Sequence, residues 1–178
     1  MSQNRRLVLP LLAALALAAL AVGVSACGYS SDSKKVAEGE PVEVGDLSVN
    51  VTFSRYLNPK DSEDEAYLVG LEPPGKGLSY FGVFVEVQNE SDKVQYLPSM
   101  TITDAEGTSY SAFPSESLYA LQFGGKVEPE EQVPVLDSTP QQGPIEGSVV
   151  IFRFPESISE NRPLTLHIAE EAEVTLDL

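Results

Sequence analysis

The residues from which most metal sites, disulfides and hydrolytic centres are built are nearly absent from this chain. Its 178 residues include one cysteine, one histidine, two methionines and no tryptophan. A single cysteine permits no intramolecular disulfide, so we expect the fold to be stabilised by its hydrophobic core. Zinc and copper sites draw on Cys, His and Met, and so small a supply argues against a transition-metal centre. We therefore expect no cofactor.

Positive charge is also scarce. Eleven lysines and arginines stand against 27 acidic residues, which gives a net charge of −16. Nucleic acids are polyanions that proteins bind through stripes of Lys and Arg, and the sequence contains no such stripe. We therefore exclude DNA and RNA as partners.

The longest apolar run lies at the start of the chain. Arg5 and Arg6 precede it, residues 7–24 carry no charged or strongly polar side chain, and the small residues Ser25 and Ala26 follow. This order of basic, apolar and small residues is typical of an export signal. An uncleaved membrane helix is the alternative, because the run approaches the length of a span. The run is rich in alanine and ends without a stop-transfer pattern, which favours the export signal.

The only cysteine lies where this signal ends. The residues Val24, Ser25, Ala26 and Cys27 resemble the lipobox of bacterial lipoproteins. The resemblance implies cleavage between Ala26 and Cys27, and a diacylglyceryl group on the Cys27 sulfur with acyl chains such as palmitate. An ordinary buried thiol is the alternative. We expect a signal peptide over residues 1–26 and a protein anchored by lipid to the extracytoplasmic face of the cell membrane.

The stretch that follows the cysteine is polar and has no periodicity. We interpret residues 27–41 as the lipidated cysteine and a flexible linker. Residues 42–178 are long enough for one domain with a single sizeable core. Removal of residues 1–26 would leave nine bases and 27 acids, a net charge of −18.

Apolar residues of the body alternate with polar ones, which is the period of β-strands and turns the apolar side chains of each series inward. One such series is Leu47, Val49, Val51 and Phe53, and another is Phe81, Val83, Val85 and Val87. Further β-rich runs, separated by turn sequences, occupy residues 96–104, 108–113, 132–136, 147–154, 164–168 and 172–178. The pattern predicts an all-β fold, an antiparallel sandwich of seven to eight strands. One helix is expected over residues 115–123, with Ser115 as its cap.

Residues 80–111 carry a second resemblance. An aromatic and valine-rich strand leads to Asn89 and a polar turn, then to a second strand and the Asp-x-x-Gly turn at residues 104–107, and residues 146–155 match a later strand. These features resemble the immunoglobulin-like domain of unknown function found in lipoproteins of Gram-positive bacteria, which is related in shape to telokin and to a secreted immunoprotective antigen of mycobacteria. The resemblance implies an immunoglobulin-like sandwich without catalytic residues.

An acidic insertion over residues 58–76 departs from that family pattern. It clusters Asp61, Glu63, Asp64 and Glu65, and carboxylate oxygens are the ligands that calcium prefers. The spacing does not match an EF-hand loop. We interpret the cluster as a solvated acidic loop, with a weak calcium site as the alternative.

His167 is the only histidine available as a general base. It lies between Leu166 and Ile168 in an alternating run and therefore faces away from the core, and no acid or nucleophile can be placed beside it. We predict a surface histidine and no enzymatic activity.

The aromatic residues Tyr80 and Phe84 fall on the strand face opposite Phe81 and Val83. Exposed tyrosines bind sugars or anchor partner proteins, whereas a strand that is buried on both faces would place these rings in the core. Burial is the favoured interpretation.

These features predict a lipid-anchored, non-catalytic binding or scaffold module whose partner is another envelope protein. The alternative is a lipoprotein that binds calcium or a small ligand such as a sugar for an envelope system.

Overall fold

The computed structural model describes residues 33–176, so the predicted signal peptide and Cys27 lie outside the described residues. Within this range the chain forms twelve strands, one α-helix (α1, Ser62–Tyr67) and a short 3-10 helix (Glu156–Glu160). The strands are β1 (Lys34–Ala37), β2 (Val42–Val44), β3 (Leu47–Leu57), β4 (Leu78–Asn89), β5 (Gln95–Tyr96), β6 (Met100–Thr103), β7 (Ser109–Ser111), β8 (Lys126–Val127), β9 (Gln132–Val133), β10 (Ser148–Pro155), β11 (Leu164–Ile168) and β12 (Ala172–Leu176). No helix among these residues has the length and apolarity needed to cross a membrane.

Two sheets and a small ribbon make up the domain. The first sheet has the order β1-β12-β11-β6-β7, and the second has the order β10-β4-β3-β2 with β9 added beside β4. Strands β5 and β8 form the ribbon. The pairs are antiparallel except for β1 with β12. The predicted all-β sandwich is confirmed. It has more strands than expected, because β1, β2 and β8 lie outside the predicted runs and the run over residues 96–104 divides into β5 and β6.

The main core lies between the two sheets. Alternate residues of β4 and β11 supply much of it, as the period-two pattern predicted, and all of these side chains are buried: Phe81, Val83, Val85, Val87, Leu164, Leu166 and Ile168. Residues of β2, β3, β6, β8, β10 and β12, together with Leu97, Leu121 and Ile158, belong to the same cluster. Both sheets therefore depend on one continuous core.

Strand β3 changes face part-way along its length. Leu47, Val49 and Val51 are buried as predicted, but the pairing of β3 with β4 shifts between Val51 and Phe53. A bulge of one residue turns every later side chain to the other face. Phe53 is accordingly 44% exposed and Ser54 is buried, so the expected inward position of Phe53 is wrong.

The second sheet is covered on its outer face as well. Tyr80 and Phe84 point away from the first sheet, yet they are 1% and 0% exposed. A second cluster packs on them, in which the Tyr67 ring of α1 lies 5.1 Å from that of Phe84, centroid to centroid. The predicted burial of Tyr80 and Phe84 is confirmed, and part of the acidic insertion supplies the cover.

The predicted flexible linker over residues 27–41 is wrong for residues 34–37. These residues form β1, which pairs in parallel with β12. Only Val36 of this strand is half-buried, because β1 lies at the edge of the sheet. An edge strand with so little apolar surface has the composition of a linker, and the packed body begins before residue 42.

The expected helix over residues 115–123 is also wrong. Ser115 and Ser117 each accept a hydrogen bond from the backbone N–H two residues later, at 3.1 Å, and this local bonding competes with helical hydrogen bonds. The described α-helix instead begins in the stretch predicted to be a loop. Asp61 caps it by accepting a hydrogen bond from the N–H of Glu63 at 2.9 Å.

Candidate functional site

The four acidic residues of the calcium hypothesis lie at the start of α1 and face different surroundings. Asp61 caps the helix, Glu63 and Glu65 are exposed, and Asp64 is buried. Across residues 33–176, no group of three or more His, Cys, Asp or Glu side chains is arranged to hold a metal ion. Calcium binding at these residues stays an untested alternative.

Arg55 of β3 engages two of these carboxylates. Its Nη1 donates to Asp64 Oδ2 at 3.1 Å and its Nη2 donates to Glu63 Oε1 at 3.0 Å. A calcium ion at this position would have to share the carboxylates with a guanidinium, which disfavours the ion. The acidic cluster therefore has a visible structural role, which is to attach α1 to the second sheet.

His167 lies on the outer face of the first sheet, opposite the buried side chains of Leu166 and Ile168, as predicted. Its Nε2 lies 2.8 Å from Thr103 Oγ1. It pairs across the strands with Glu173. A shallow depression of about 420 Å³ surrounds these residues and is lined mainly by polar side chains.

The carboxylate of Glu173, which lines this depression, contacts residues at the start of the described chain. Ser33 Oγ donates to Glu173 Oε1 at 2.6 Å, and Lys35 Nζ lies 2.9 Å from Glu173 Oε2. The Ser33 hydroxyl and the Lys35 ammonium hold the pKa of this carboxyl below its ordinary value. The contacts fasten β1 to β12, and they direct the Ser33 hydroxyl to Glu173 rather than to His167.

An apolar groove of about 290 Å³ lies beside β9, between the β7–β8 and β9–β10 loops. We call it the apolar groove throughout. Its lining is mainly aliphatic and contains one charged residue: Leu97, Leu118, Ala120, Gln122, Gly125, Lys126, Val133, Pro134, Val135, Ser138, Pro140 and Ser148.

The wall formed by the β7–β8 loop is fixed to β10 by backbone hydrogen bonds. Val149 N donates to Tyr119 O at 2.7 Å, and Leu121 N donates to Val149 O at 2.9 Å. These bonds hold the intervening Ala120 against β10 and direct the neighbouring Leu118 outward. Leu118 is 76% exposed.

The opposite wall begins where β9 ends. Val133 pairs with Val87 of β4, and the chain then leaves the sheet through Pro134, which has no N–H to continue the ladder. Val135 is 55% exposed, and the next residue, Leu136, is also exposed. These accessible aliphatic side chains adjoin the groove and make it a candidate interaction site.

The chain segments that supply the apolar groove are acidic. Between residues 116 and 148 the chain carries one base, Lys126, and six acids, all of them exposed: Glu116, Glu128, Glu130, Glu131, Asp137 and Glu146. Asp137 and the turn over residues 128–131 lie between lining residues in the chain, so their carboxylates border the apolar centre. An apolar centre with a polar rim is the common anatomy of a protein-binding surface.

The sequence patterns did not predict this groove. Leu118 belonged to an expected helix and Val135 to an expected strand, and the two residues approach each other only in the folded chain. The sequence did contain one indication of the groove. Val133, Val135 and Leu136 belong to an apolar run that does not alternate with polar residues, as a strand with one exposed face would.

The fold is shared with solved β-sandwich proteins. No protein-family model matches the chain, and the curated proteins include no significant match. The chain is similar to an uncharacterized β-sandwich protein of Clostridium difficile, with 14% identity, coverage of 82% of this chain and 94% of that chain, and a TM-score of 0.51. It is similar to a conserved hypothetical protein of Bacillus anthracis, with 13% identity, coverage of 79% and 94%, and a TM-score of 0.54.

A secreted protein of Mycobacterium tuberculosis is similar as well, with 11% identity, coverage of 84% of this chain and 100% of that chain, and a TM-score of 0.50. At these identities the likeness shows the fold alone. The chain is a β-sandwich. The predicted likeness to β-sandwich proteins of unknown function is thus confirmed at the level of architecture.

Proposed function

We propose that this protein is a lipid-anchored, non-catalytic binding module that faces the outside of the cell membrane and binds a protein partner through the apolar groove. The anchor in this proposal is a diacylglyceryl group on Cys27. Its support is the order of basic, apolar and small residues that ends in Val24-Ser25-Ala26-Cys27.

The apolar groove is the observation that carries the binding role. Leu118 and Val135 are accessible aliphatic side chains in the two loops that line the groove, and burial of their apolar surface against a protein partner is favourable. Sugar sites stack the ligand on aromatic rings, and the lining of this groove contains none. The groove therefore fits a protein better than a sugar.

The anchor is tested in living cells with the full-length chain. Cys27→Ala removes the sulfur that would carry the lipid, so the variant should lose label from a fatty-acid analogue and retain residues 1–26, whereas the wild type should be labelled and shortened by those residues. Ser30→Ala, three residues away, serves as the control and should behave as the wild type. A wild-type protein that stays in the membrane without taking up the label, and that retains residues 1–26, would show that a helix, not a lipid, is the anchor.

The groove is tested by chemical crosslinking in the same cells. The double variant Leu118→Asp, Val135→Asp should lose the crosslinked partner, because charged groups replace the apolar contact. Val69→Asp is the matched control, since Val69 is a similarly exposed valine outside the groove lining. Equal loss in both variants, or a partner that survives the double substitution, would contradict the proposal.

A further inference from the structure

The position of β1 determines which end of the sandwich lies next to the proposed lipid anchor. The described chain starts at Ser33, six residues after Cys27. Six extended residues span at most about 22 Å, at roughly 3.6 Å per residue. The end of the domain at which β1 begins is therefore held within about that distance of the membrane surface.

One turn contacts the start of β1, and a second turn contacts the first. Lys34 N donates to Glu171 O at 2.9 Å, in the turn between β11 and β12. Gly45 N, in the turn between β2 and β3, donates to Glu171 Oε2 at 2.9 Å. Both turns belong to what we call the anchor end.

Two more turns join the anchor end through Asn89. This residue pairs with Leu47 at the start of β3 and opens the turn between β4 and β5. Its Nδ2 donates to the carbonyl oxygen of Glu128 at 3.0 Å, which brings in the turn between β8 and β9.

The anchor end is strongly acidic. Its four turns, residues 45–46, 90–94, 128–131 and 169–171, carry one lysine and eight acids, and the start of β1 adds Lys34 and Lys35. The eight acids are all accessible, Glu170 in part: Asp46, Glu90, Asp92, Glu128, Glu130, Glu131, Glu170 and Glu171. Anionic lipid head groups repel such a surface. The charge therefore opposes direct contact with an anionic bilayer and favours a cationic partner.

The apolar groove lies in the same half of the sandwich. Val133 pairs with Val87 and Ser148 pairs with Val85, both within four residues of Asn89 at the end of β4. The turn over residues 128–131 connects β8 to β9 and borders both the groove and the anchor end.

We propose that the apolar groove and the acidic turn over residues 128–131 together bind an extracytoplasmic segment of an integral membrane protein, a segment that presents apolar side chains between lysines or arginines. This inference rests on the proposed function. The short span from Cys27 keeps the groove near the membrane, the aliphatic walls accept the apolar side chains, and the acids complement the basic ones.

The test places a photo-crosslinking amino acid at Leu118 of the full-length protein in native membranes, with Thr108, an exposed residue at the far end of the sandwich, as the control position. The expected product joins residue 118 to a basic, apolar, extracytoplasmic segment of a membrane protein. Its yield should fall several-fold in high salt and in the variant Glu128→Gln, Glu130→Gln, Glu131→Gln. Position 108 should give no such product.

The outcomes separate this inference from the proposed function. A protein product at residue 118 that is soluble or acidic, or whose yield is unchanged by salt and by the triple variant, would overturn the inference and leave the groove as a protein-binding site. A product with phospholipid, a product with a second copy of this chain, or no product would overturn both. Thermal melting of the triple variant checks its folding, and three exposed side chains should leave the melting temperature close to that of the wild type.

Discussion

Asp64 of α1 and Arg55 of β3 form a hydrogen-bonded ion pair that attaches the acidic insertion to the second sheet. Asp64 is 1% exposed and its Oδ2 accepts hydrogen bonds from Arg55 Nη1 at 3.1 Å and from Asn58 N at 2.6 Å. A helix of six residues is not stable alone, so it depends on such contacts. The pair holds α1 where Tyr67 covers Phe84 of β4.

Asp64→Ala should therefore destabilise the whole domain. The substitution leaves Arg55 half-buried without its main partner, and a lost hydrogen bond to a charged group costs about 1.5–3 kcal/mol. Glu63→Gln, at the exposed side of the same guanidinium, should cost less than about 1 kcal/mol. Urea unfolding of both variants measures the difference. Equal effects would show that the buried ion pair is not what attaches the insertion.

Substitution of Asn89 should also destabilise the domain strongly, because its side chain is fully buried and both its Nδ2 and its Oδ1 form hydrogen bonds. Its Nδ2 donates to the carbonyl oxygens of Lys93, Val127 and Glu128 at 2.7–3.0 Å, and its Oδ1 accepts from Ser91 N at 3.0 Å. Asn89→Ala leaves buried carbonyl oxygens without a donor, at about 1–3 kcal/mol for each unpaired group.

Asn89→Asp should be worse than Asn89→Ala at neutral pH. The carboxylate would face three carbonyl oxygens, and like partial charges repel in a buried site. Protonation of the introduced carboxyl restores one hydrogen-bond donor. Asn89→Asp should therefore regain part of its stability at acidic pH, while Asn89→Ala should not. Denaturant midpoints at two pH values test this, and a parallel response of the two variants would refute it.

The strands with uninterrupted alternation could be predicted from the sequence. Residues 164–168 form β11 within the predicted bounds, because buried and exposed side chains alternate along its whole length. The bulge in β3 could not be predicted, because apolar and polar residues continue to alternate in the sequence from Val51 to Phe53, where the pairing shifts. Strand β1 was missed because its stability comes from β12, 138 residues away in the pairing of Lys34 with Ala172.

The candidate site was beyond the reach of sequence patterns for a related reason. Leu118 and Val135 belong to two loops whose positions depend on backbone bonds to β10 and on the exit of the chain at Pro134. Local propensity contains no information on such long-range placement. The charge of the rim, in contrast, was visible as the acidic bias of the whole chain.

Replacement of Glu86 should stabilise the domain by an amount that depends on pH. Burial raises the pKa of this carboxyl and the nearby Glu146 carboxylate raises it further, while the Asn50 side chain opposes the shift. A folded-state pKa above the unfolded value of about 4.3 means that stability falls as the pH rises through the interval between the two. The ionised form at neutral pH is therefore unfavourable in the folded state.

Glu86→Gln should consequently raise the melting temperature at pH 7 and lose this advantage near pH 3.5. Glu90→Gln is the matched control, because it also removes one charge from an acidic protein but at an exposed turn. Calorimetry across this pH range measures both variants. An equal gain for Glu90→Gln would assign the effect to net charge and not to the environment of Glu86.

The contribution of Glu173 to stability should have the opposite pH dependence and should affect β1 alone. Hydrogen bonds from Ser33 and Lys35 lower its pKa, so its contribution is present above the unfolded value and is lost as the pH falls through the folded value. Glu173→Gln should speed hydrogen exchange of the β1 amides by about two- to fivefold at pH 7, the range expected for an exposed ion pair of up to about 1 kcal/mol.

Lys35→Gln should have a similar effect, and the double variant should add little, because the two side chains form one contact. The core amides of β4 provide the internal reference and should exchange as in the wild type. Unchanged exchange in β1 would mean that the half-buried Val36 and the backbone ladder to β12 suffice to hold the strand. Faster exchange would instead show that the position of the first strand, and with it the length of chain between Cys27 and the body, responds to the protonation of a single carboxyl.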